Sequence, residues 1–240
     1  MAQTMKLTVI TPTGARQEAF KLCERYVSRQ TLQPHQFIVM DDEVPRTICT
    51  MGQEYIFCPQ FKGRMSLLNK IAFLISSGKV TGDALVFVED DDWYHPKWLQ
   101  FCSDQLEKYD MIGEGHAFYY NVRYRYWIDY RNMSHSSLCS TAIRSNLFPK
   151  VLELCDTTTN KDPFLDQRIW LDNGGIKCSK RVFRPDAGRL VIGIKGMPGR
   201  AGYNVGHDKM AQDAIRELNM AKLRTLIGSD ADAYEQFYNP

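Results

Sequence analysis

Residues 84–92 read ALVFVEDDD. The first five are apolar without alternation, which marks a strand buried on both faces, as in a parallel sheet. The strand runs straight into Glu89, Asp90, Asp91 and Asp92. Ligands of open α/β sheets bind beyond the carboxyl ends of the strands, which is where these acids fall. Adjacent carboxylates repel one another, so a fold keeps them together only in water, with compensating cations or around a metal. Their hard oxygens suit Mg²⁺ or Mn²⁺ bridging to a diphosphate. Strand alternation would aim Glu89 and Asp91 to one side and Asp90 and Asp92 to the other. A solvated acidic turn is the competing reading.

Working outward, residues 6–13 (KLTVITPT) read as a buried strand ending in a loop. A helix follows over 15–29, with Ala19, Phe20, Cys23, Tyr26 and Val27 on one face, and Pro34 ends it. Residues 35–40 (HQFIVM) form a second strand running into Asp41, Asp42 and Glu43. Strand, helix and strand in this span predict a βαβ unit and parallel pairing. Asp41 and Asp42 should therefore share an edge with the later acids. Thr11, Pro12, Thr13, Gly14 and Arg16, after the first strand, offer hydroxyls and a cation suited to a phosphate or a nucleotide, though neither GxxxxGK[ST] nor GxGxxG is present. Residues 55–57 suggest a short strand. A helix over 65–76 presents Leu68, Ile71, Ala72 and Ile75.

Downstream, 95–109 reads as a helix, 111–129 as aromatic-rich strands, 137–143 as a strand, 163–172 as a helix and 189–194 as a strand. A glycine-rich loop over 195–206 carries Lys195 and Arg200, cations able to neutralise a diphosphate. It leads to His207, which would give a metal a softer ligand and favour Mn²⁺. A helix is expected over 208–226, with Gly228 as its C-cap. Asp162, Asp166 and Asp172 surround the helix PFLDQRIWL, where a carboxylate could serve as a general base or be an ordinary surface acid. Arg123, Tyr124, Arg125, Tyr126, Trp127, Tyr130 and Arg131 interleave cations with rings. As a strand they would set Arg123 and Arg125 against Tyr124 and Tyr126, a pattern fit for phosphate contacts and base stacking, or for an aromatic core face.

The chain has 240 residues, 44% hydrophobic and 24% charged, which places it among globular proteins and excludes disordered, collagen-like and coiled-coil classes. A net charge of +2 is too small to demand a polyanionic partner. Seven cysteines, odd in number and without a CxxC, argue against a disulfide framework or a zinc ribbon. With no apolar run long enough to span a bilayer and no signal-like start, a soluble cytoplasmic protein is expected. We expect one domain, with a nucleotide-binding half over about 1–110 and an acceptor half over about 111–240.

With these residues assembled, the chain resembles the family 2 glycosyltransferases of the GT-A fold, over roughly residues 6–172 with a tail through His207. The resemblance rests on Thr11, Pro12, Thr13 and Arg16; on Asp41 and Asp42; on the helix with Arg64, Asn69 and Lys70; on Gly82 and Asp83 at the next strand's entry; and on Glu89, Asp90, Asp91 and Asp92 followed by Trp93 and Pro96. It implies an α/β fold of GT-A type, a Rossmann-like mixed sheet flanked by helices. It also implies a nucleotide-sugar donor, a UDP-sugar by preference, bound by Thr11, Pro12, Thr13, Arg16, Asp41, Asp42, Arg64, Asn69, Glu89, Asp90 and Lys195. Asp91 and His207 would hold Mn²⁺ or Mg²⁺. Asp166 occupies the place of the family's base, in a Leu165-Asp166 pair where the family has Glu-Asp, and displacement would invert the sugar. Arg123, Arg125, Tyr126 and Trp127 would face the acceptor, for which a hydroxymethylated pyrimidine in DNA is one expectation and a soluble glycan or protein the other. A metal-dependent nucleotidyltransferase and a non-catalytic nucleic-acid binder are the readings from other classes. TPTGAR, with its single glycine, matches the first poorly, and metal carboxylates at strand ends would be idle in the second.

Overall fold

The computed structural model describes residues 4–63, 65–157, 165–171, 175–184, 188–199, 215–216 and 220–238. The first strand, β1 (Leu7–Thr13), is followed by helix α1 (Gln17–Ser28) and strand β2 (Gln36–Asp41). β1 and β2 pair in parallel, with Thr13 opposite Asp41. Next come β3 (Glu54–Phe57), α2 (Ser66–Ser76) and β4 (Ala84–Phe87). β4 lies parallel to β1 on its other side, with Phe87 opposite Ile10. The predicted βαβ unit is thus present, and its register brings the ends of β1, β2 and β4 to one edge.

β5 (Trp93–Tyr94), α3 (Trp98–Leu106), β6 (Met111–Glu114), β7 (Phe118–Asn121), β8 (Tyr126–Asp129), β9 (Thr141–Arg144), α4 (Phe148–Thr157), α5 (Leu165–Trp170), β10 (Lys180–Phe183), β11 (Val191–Lys195), β12 (Ile215–Arg216) and α6 (Ala221–Ile227) follow. Seven strands form the main sheet in the order β10-β6-β9-β4-β1-β2-β3. Only β9 runs against its neighbours, so the sheet is mixed and draws strands from both sides of residue 110. A second sheet has the order β12-β8-β7-β11-β5.

The pleat of the main sheet sorts its side chains between two cores. Val9, Val39 and Val86 face a cluster with Phe20 and Tyr26 of α1 and Trp98 of α3. Ile10, Ile38, Leu85 and Phe87 face the opposite cluster with Leu68, Ile71 and Leu74 of α2 and Trp170 of α5. The central strands are therefore apolar on both sides, as the run ALVFV requires.

Several expectations need correction. The helix expected over 95–109 is confined to α3, because Trp93 and Tyr94 pair with β11 and Pro96 precedes the first turn. The strand expected over 137–143 begins only at Thr141, after a 3-10 turn over Leu138–Ser140. Within the helix expected over 208–226, Ile215 and Arg216 instead pair with β8, and α6 starts at Ala221. Gly228 caps α6 as expected, with φ +62. α4 and β10 have no counterpart in the sequence reading.

A 3-10 run over Gly228–Phe237 follows α6 and docks on α1. Asp230 accepts hydrogen bonds from Arg25 (2.9 Å), Arg29 (2.8 Å) and the Trp93 indole (2.7 Å). Burial alone would raise its pKa, but the bonds from Arg29 and Trp93 and the two guanidinium charges outweigh burial and hold the carboxyl below its usual range. Asp230→Ala should lower unfolding free energy in urea by about 2–4 kcal/mol, through orphaned donors rather than a lost contact. Because the folded pKa is depressed, Asp230 contributes fully above about pH 4 and loses its contribution as pH falls through the folded value. The gap between wild type and variant should therefore narrow in acid.

Candidate functional site

β4 ends at Phe87, and the chain then turns, with Asp92 N–H donating to Glu89 C=O at 3.4 Å. The turn ends strand alternation, so the predicted split of the acids into two faces does not occur. Asp90 and Asp91 instead grip one guanidinium: Arg16 Nη1 donates to Asp90 Oδ1 at 2.8 Å and Nη2 to Asp91 Oδ2 at 2.7 Å. Thr13 Oγ1 adds a bond to Asp90 Oδ2 at 2.7 Å. Lys195, at the end of β11, lies 3.4 Å from Asp92 Oδ1 and 3.7 Å from Asp91 Oδ2. The Ile194 N–H donates to Asp92 Oδ1 at 2.8 Å.

Among the described residues, the four acids face two cations, Arg16 and Lys195. Burial opposes both positive charges, but the neighbouring carboxylates outweigh it and hold the two groups protonated. Burial, followed by Asp92, pushes the Glu89 carboxyl up, and burial pushes Asp92 up despite the Lys195 charge. Among the described residues, Lys195 is the cation nearest the Glu89 and Asp92 side.

That side has the donor set of a cation site. One oxygen each of Glu89 and Asp92 and the Cys139 sulfur lie within 4.8 Å of one another. Among the described residues, Asp92 Oδ2 is buried and has no nitrogen or oxygen hydrogen-bond partner. Two hard carboxylate oxygens fit Mg²⁺ or Mn²⁺. Burial raises the Cys139 thiol far above its usual range, so the sulfur is protonated and a weak ligand. Asp91, the expected ligand, is engaged by Arg16 and Lys195, and His207 lies outside the described residues.

A cavity of about 220 Å³ opens beside the acids, lined by Pro12, Arg16, Gly63, Ser66, Leu67, Lys70, Glu89 and Asp90. Of the expected donor-binding residues, Pro12, Arg16, Glu89 and Asp90 meet here. Thr11 is buried with its hydroxyl 3.7 Å from Cys23 Sγ, and Thr13 serves Asp90. Asp41 is buried and accepts from Thr47 N–H (2.7 Å), the Tyr55 hydroxyl (2.8 Å) and Glu43 N–H (3.1 Å), so it braces the loop after β2. Asp42 pairs with fully buried Lys70 at 3.1 Å and accepts from Ser66. Lys70 also donates to the Thr13 C=O at 2.8 Å. Ser66 was not singled out by the sequence reading, and Lys70 had no assigned role. Their i, i+4 spacing on α2, a polar stripe beside an apolar face, was the available signal. Asn69 is exposed and outside the lining, and Arg64 lies outside the described residues.

The glycine-rich loop approaches a side chain. Gly199 has φ +144, and a Cβ there would sit 2.5 Å from Arg16 Cγ. Only glycine allows the backbone to rest on Arg16 in this way. Arg200, Asp162 and Asp172 lie outside the described residues. Asp166 is half-buried in the first turn of α5 and is not among the residues lining the cavity.

Residues 122–125 form the turn between β7 and β8, so the predicted two-faced strand of cations and rings is corrected. Asn121 Oδ1 accepts from the Arg123 and Tyr124 N–H groups, each at 3.0 Å, and Arg125 takes φ +53. Tyr126 is buried, and Trp127 stacks on Phe118 with Lys222 Nζ 4.5 Å from its ring centroid. Arg125 lies over the Tyr238 ring, while Tyr124 keeps an exposed ring.

The fold is shared with solved structures. TarS from S. aureus aligns with a TM-score of 0.54 and 11% identity, over 80% of this chain and 37% of that one. A TarS chain comprising residues 1–349, in complex with UDP, gives 0.55 and 12%, over 79% and 60%. The mannosyltransferase PcManGT from Pyrobaculum calidifontis, in complex with GDP-Man and Mn²⁺, gives 0.52 and 13%, over 98% and 70%. This chain thus spans between 37% and 60% of the TarS chains it matches. At such identities the likeness is one of fold, and the α/β class of GT-A type is the fold observed. No protein-family profile and no curated protein sequence matches the chain.

Arg16→Met should cost about 3–5 kcal/mol in chemical unfolding at pH 7, because it leaves two buried carboxylates facing each other. Arg16→Lys should recover less than half of that, since one ammonium cannot span both acids with a planar fork. Equal stability of all three proteins would show that the bridge is idle.

Proposed function

We propose that the chain transfers a sugar from a nucleotide-sugar donor, a UDP-sugar by preference, to an acceptor hydroxyl with the help of Mn²⁺ or Mg²⁺. The observation that carries this reading is the cluster of four acids, with the close approach of Glu89, Asp92 and Cys139, beside a cavity at the carboxyl edge of the sheet. Support comes from the same fold in one protein solved with UDP and another solved with GDP-Man and Mn²⁺.

Glu89 and Asp92 would hold the ion, with Asp91 beside them and His207 as a further candidate. Bound there, a divalent ion supplies Lewis acidity toward a diphosphate leaving group. Arg16 and Lys195 flank the same point and place fixed positive charge where the leaving group gains negative charge. Pro12, Ser66 and Lys70 shape the wall that positions the donor. Asp166 would accept the proton of the acceptor hydroxyl as its oxygen attacks the anomeric carbon, a single displacement that inverts the centre. A hydroxymethylated pyrimidine in DNA remains a proposed acceptor through the exposed Tyr124 ring and its neighbouring arginines. A soluble glycan or protein is the other acceptor class. Among the described residues no helix is long and apolar enough to cross a membrane.

Calorimetry with UDP and GDP, with Mn²⁺ or with chelator, tests the donor site. Binding should tighten by at least about tenfold with the ion, and Asp92→Asn should remove that gain. Nucleotide binding that ignores both the metal and the substitution overturns the reading. In a labelled-sugar assay offering hydroxymethylated DNA, glycans and proteins, Asp166→Asn should reduce turnover by about 10²-fold or more and leave UDP affinity unchanged.

A further inference from the structure

A second cavity, of about 580 Å³, lies at the carboxyl ends of β6 and β10 and shares no lining residue with the first. β6 runs parallel to β4, because β9 between them opposes both, so the two cavities occupy the same edge of the main sheet. β11 connects them: Leu190, just before it, lines the second cavity, and Lys195 ends it among the acids. Its span is roughly 16 Å at about 3.3 Å per residue.

The walls are apolar and aromatic. Phe101 of α3 meets Phe183 of β10 edge to face, with centroids 5.1 Å apart, and Leu190 and Leu226 complete the surface. Lys97 and Arg184 are exposed on the lining, and neither has a carboxylate partner among the described residues. Arg189 is already engaged, by the His116 carbonyl, by Asp129 at 3.3 Å and by the Phe118 ring. Among the described lining residues the acid is Glu114, buried and accepting from the Leu190 N–H at 2.8 Å. Burial pushes its pKa up to about 7, which lessens its charge near neutrality.

The volume falls in the range of small-molecule sites, and such sites pair apolar walls with a few placed polar groups. We infer that this cavity binds a small planar aromatic anion, its rings against Phe101, Phe183, Leu190 and Leu226 and its anionic group on Lys97 and Arg184. An aromatic ligand gains offset-stacked or edge-to-face contact with such rings. Two cations at the rim, with no carboxylate partner among the described residues, make an anion the complementary charge, and an acidic peptide or a neutral lipid would lack one half of this match. The inference stands independently of the donor-site reading.

The full chain can be titrated with 8-anilinonaphthalene-1-sulfonate by fluorescence, and with uncharged N-phenyl-1-naphthylamine in parallel. Saturable binding of the sulfonate is expected, weakened about tenfold or more in Lys97→Glu/Arg184→Glu, with the neutral dye unaffected by that change. Phe183→Ala should weaken both dyes. Thermal melting checks that the variants fold, and Lys97→Gln/Arg184→Gln offers a milder version with a smaller loss. UDP with Mn²⁺ should leave the sulfonate bound. Sulfonate affinity unchanged by charge reversal, absence of saturation, or full displacement by UDP with Mn²⁺ would each overturn the inference. If UDP fails to bind at all, the donor-site reading falls, and the charge-reversal comparison still decides this one.

Discussion

Four acids in a row at the end of a buried strand repel one another, and the rest of the site is arranged around that repulsion. Arg16 answers it from the loop before α1 and Lys195 from the end of β11. Each cation comes from a different part of the chain, so the cluster ties the first strand, the fourth strand and the second sheet together. The cost of burying these charges is offset only while all partners are in place. The conformation of the loops around them is therefore set by electrostatics as much as by packing. Gly199 illustrates the point: the backbone there lies directly on the Arg16 side chain, with no room for a methyl group.

The sheet supplies the geometry. Parallel pairing of β1 with both β2 and β4 brings Thr13, Asp41 and the acids to one edge without any long-range signal beyond strand register. The two faces of those strands then decide which helices cover them. α2 reaches the edge with Ser66 and Lys70, and Lys70 is fully buried because Asp42 and the Thr13 carbonyl satisfy its ammonium. A buried lysine so satisfied ties the helix to the sheet at a defined point.

Much of this was legible in the residues. The continuous apolar run of β4, the βαβ spacing and the apolar face of α1 led to the correct strands, their parallel pairing and the edge where the acids gather. Three kinds of information were not legible. Strand alternation failed for the acids because β4 stops at Phe87 and a turn intervenes, and nothing local in ALVFVEDDD marks that stop. It failed again at Arg123 to Tyr126, where Asn121 caps a turn that reads as strand by composition. The pairing of Ile215 with Trp127 joins residues far apart in sequence, and a helical apolar period cannot reveal a distant edge. Cys139 next to Asp92 is likewise a product of tertiary approach, since β9 enters the main sheet between β4 and β6.

The docking of residues 228–237 on the first helix also bears on how the molecule is made. Arg25, Arg29 and Trp93 leave the ribosome long before Asp230, at sequence separations of 205, 201 and 137 residues. Until translation reaches that aspartate, two guanidinium groups and an indole on the nascent polypeptide lack their acceptor. Closure of this face therefore requires contacts of high sequence separation, which can form only once the end of the chain has been made.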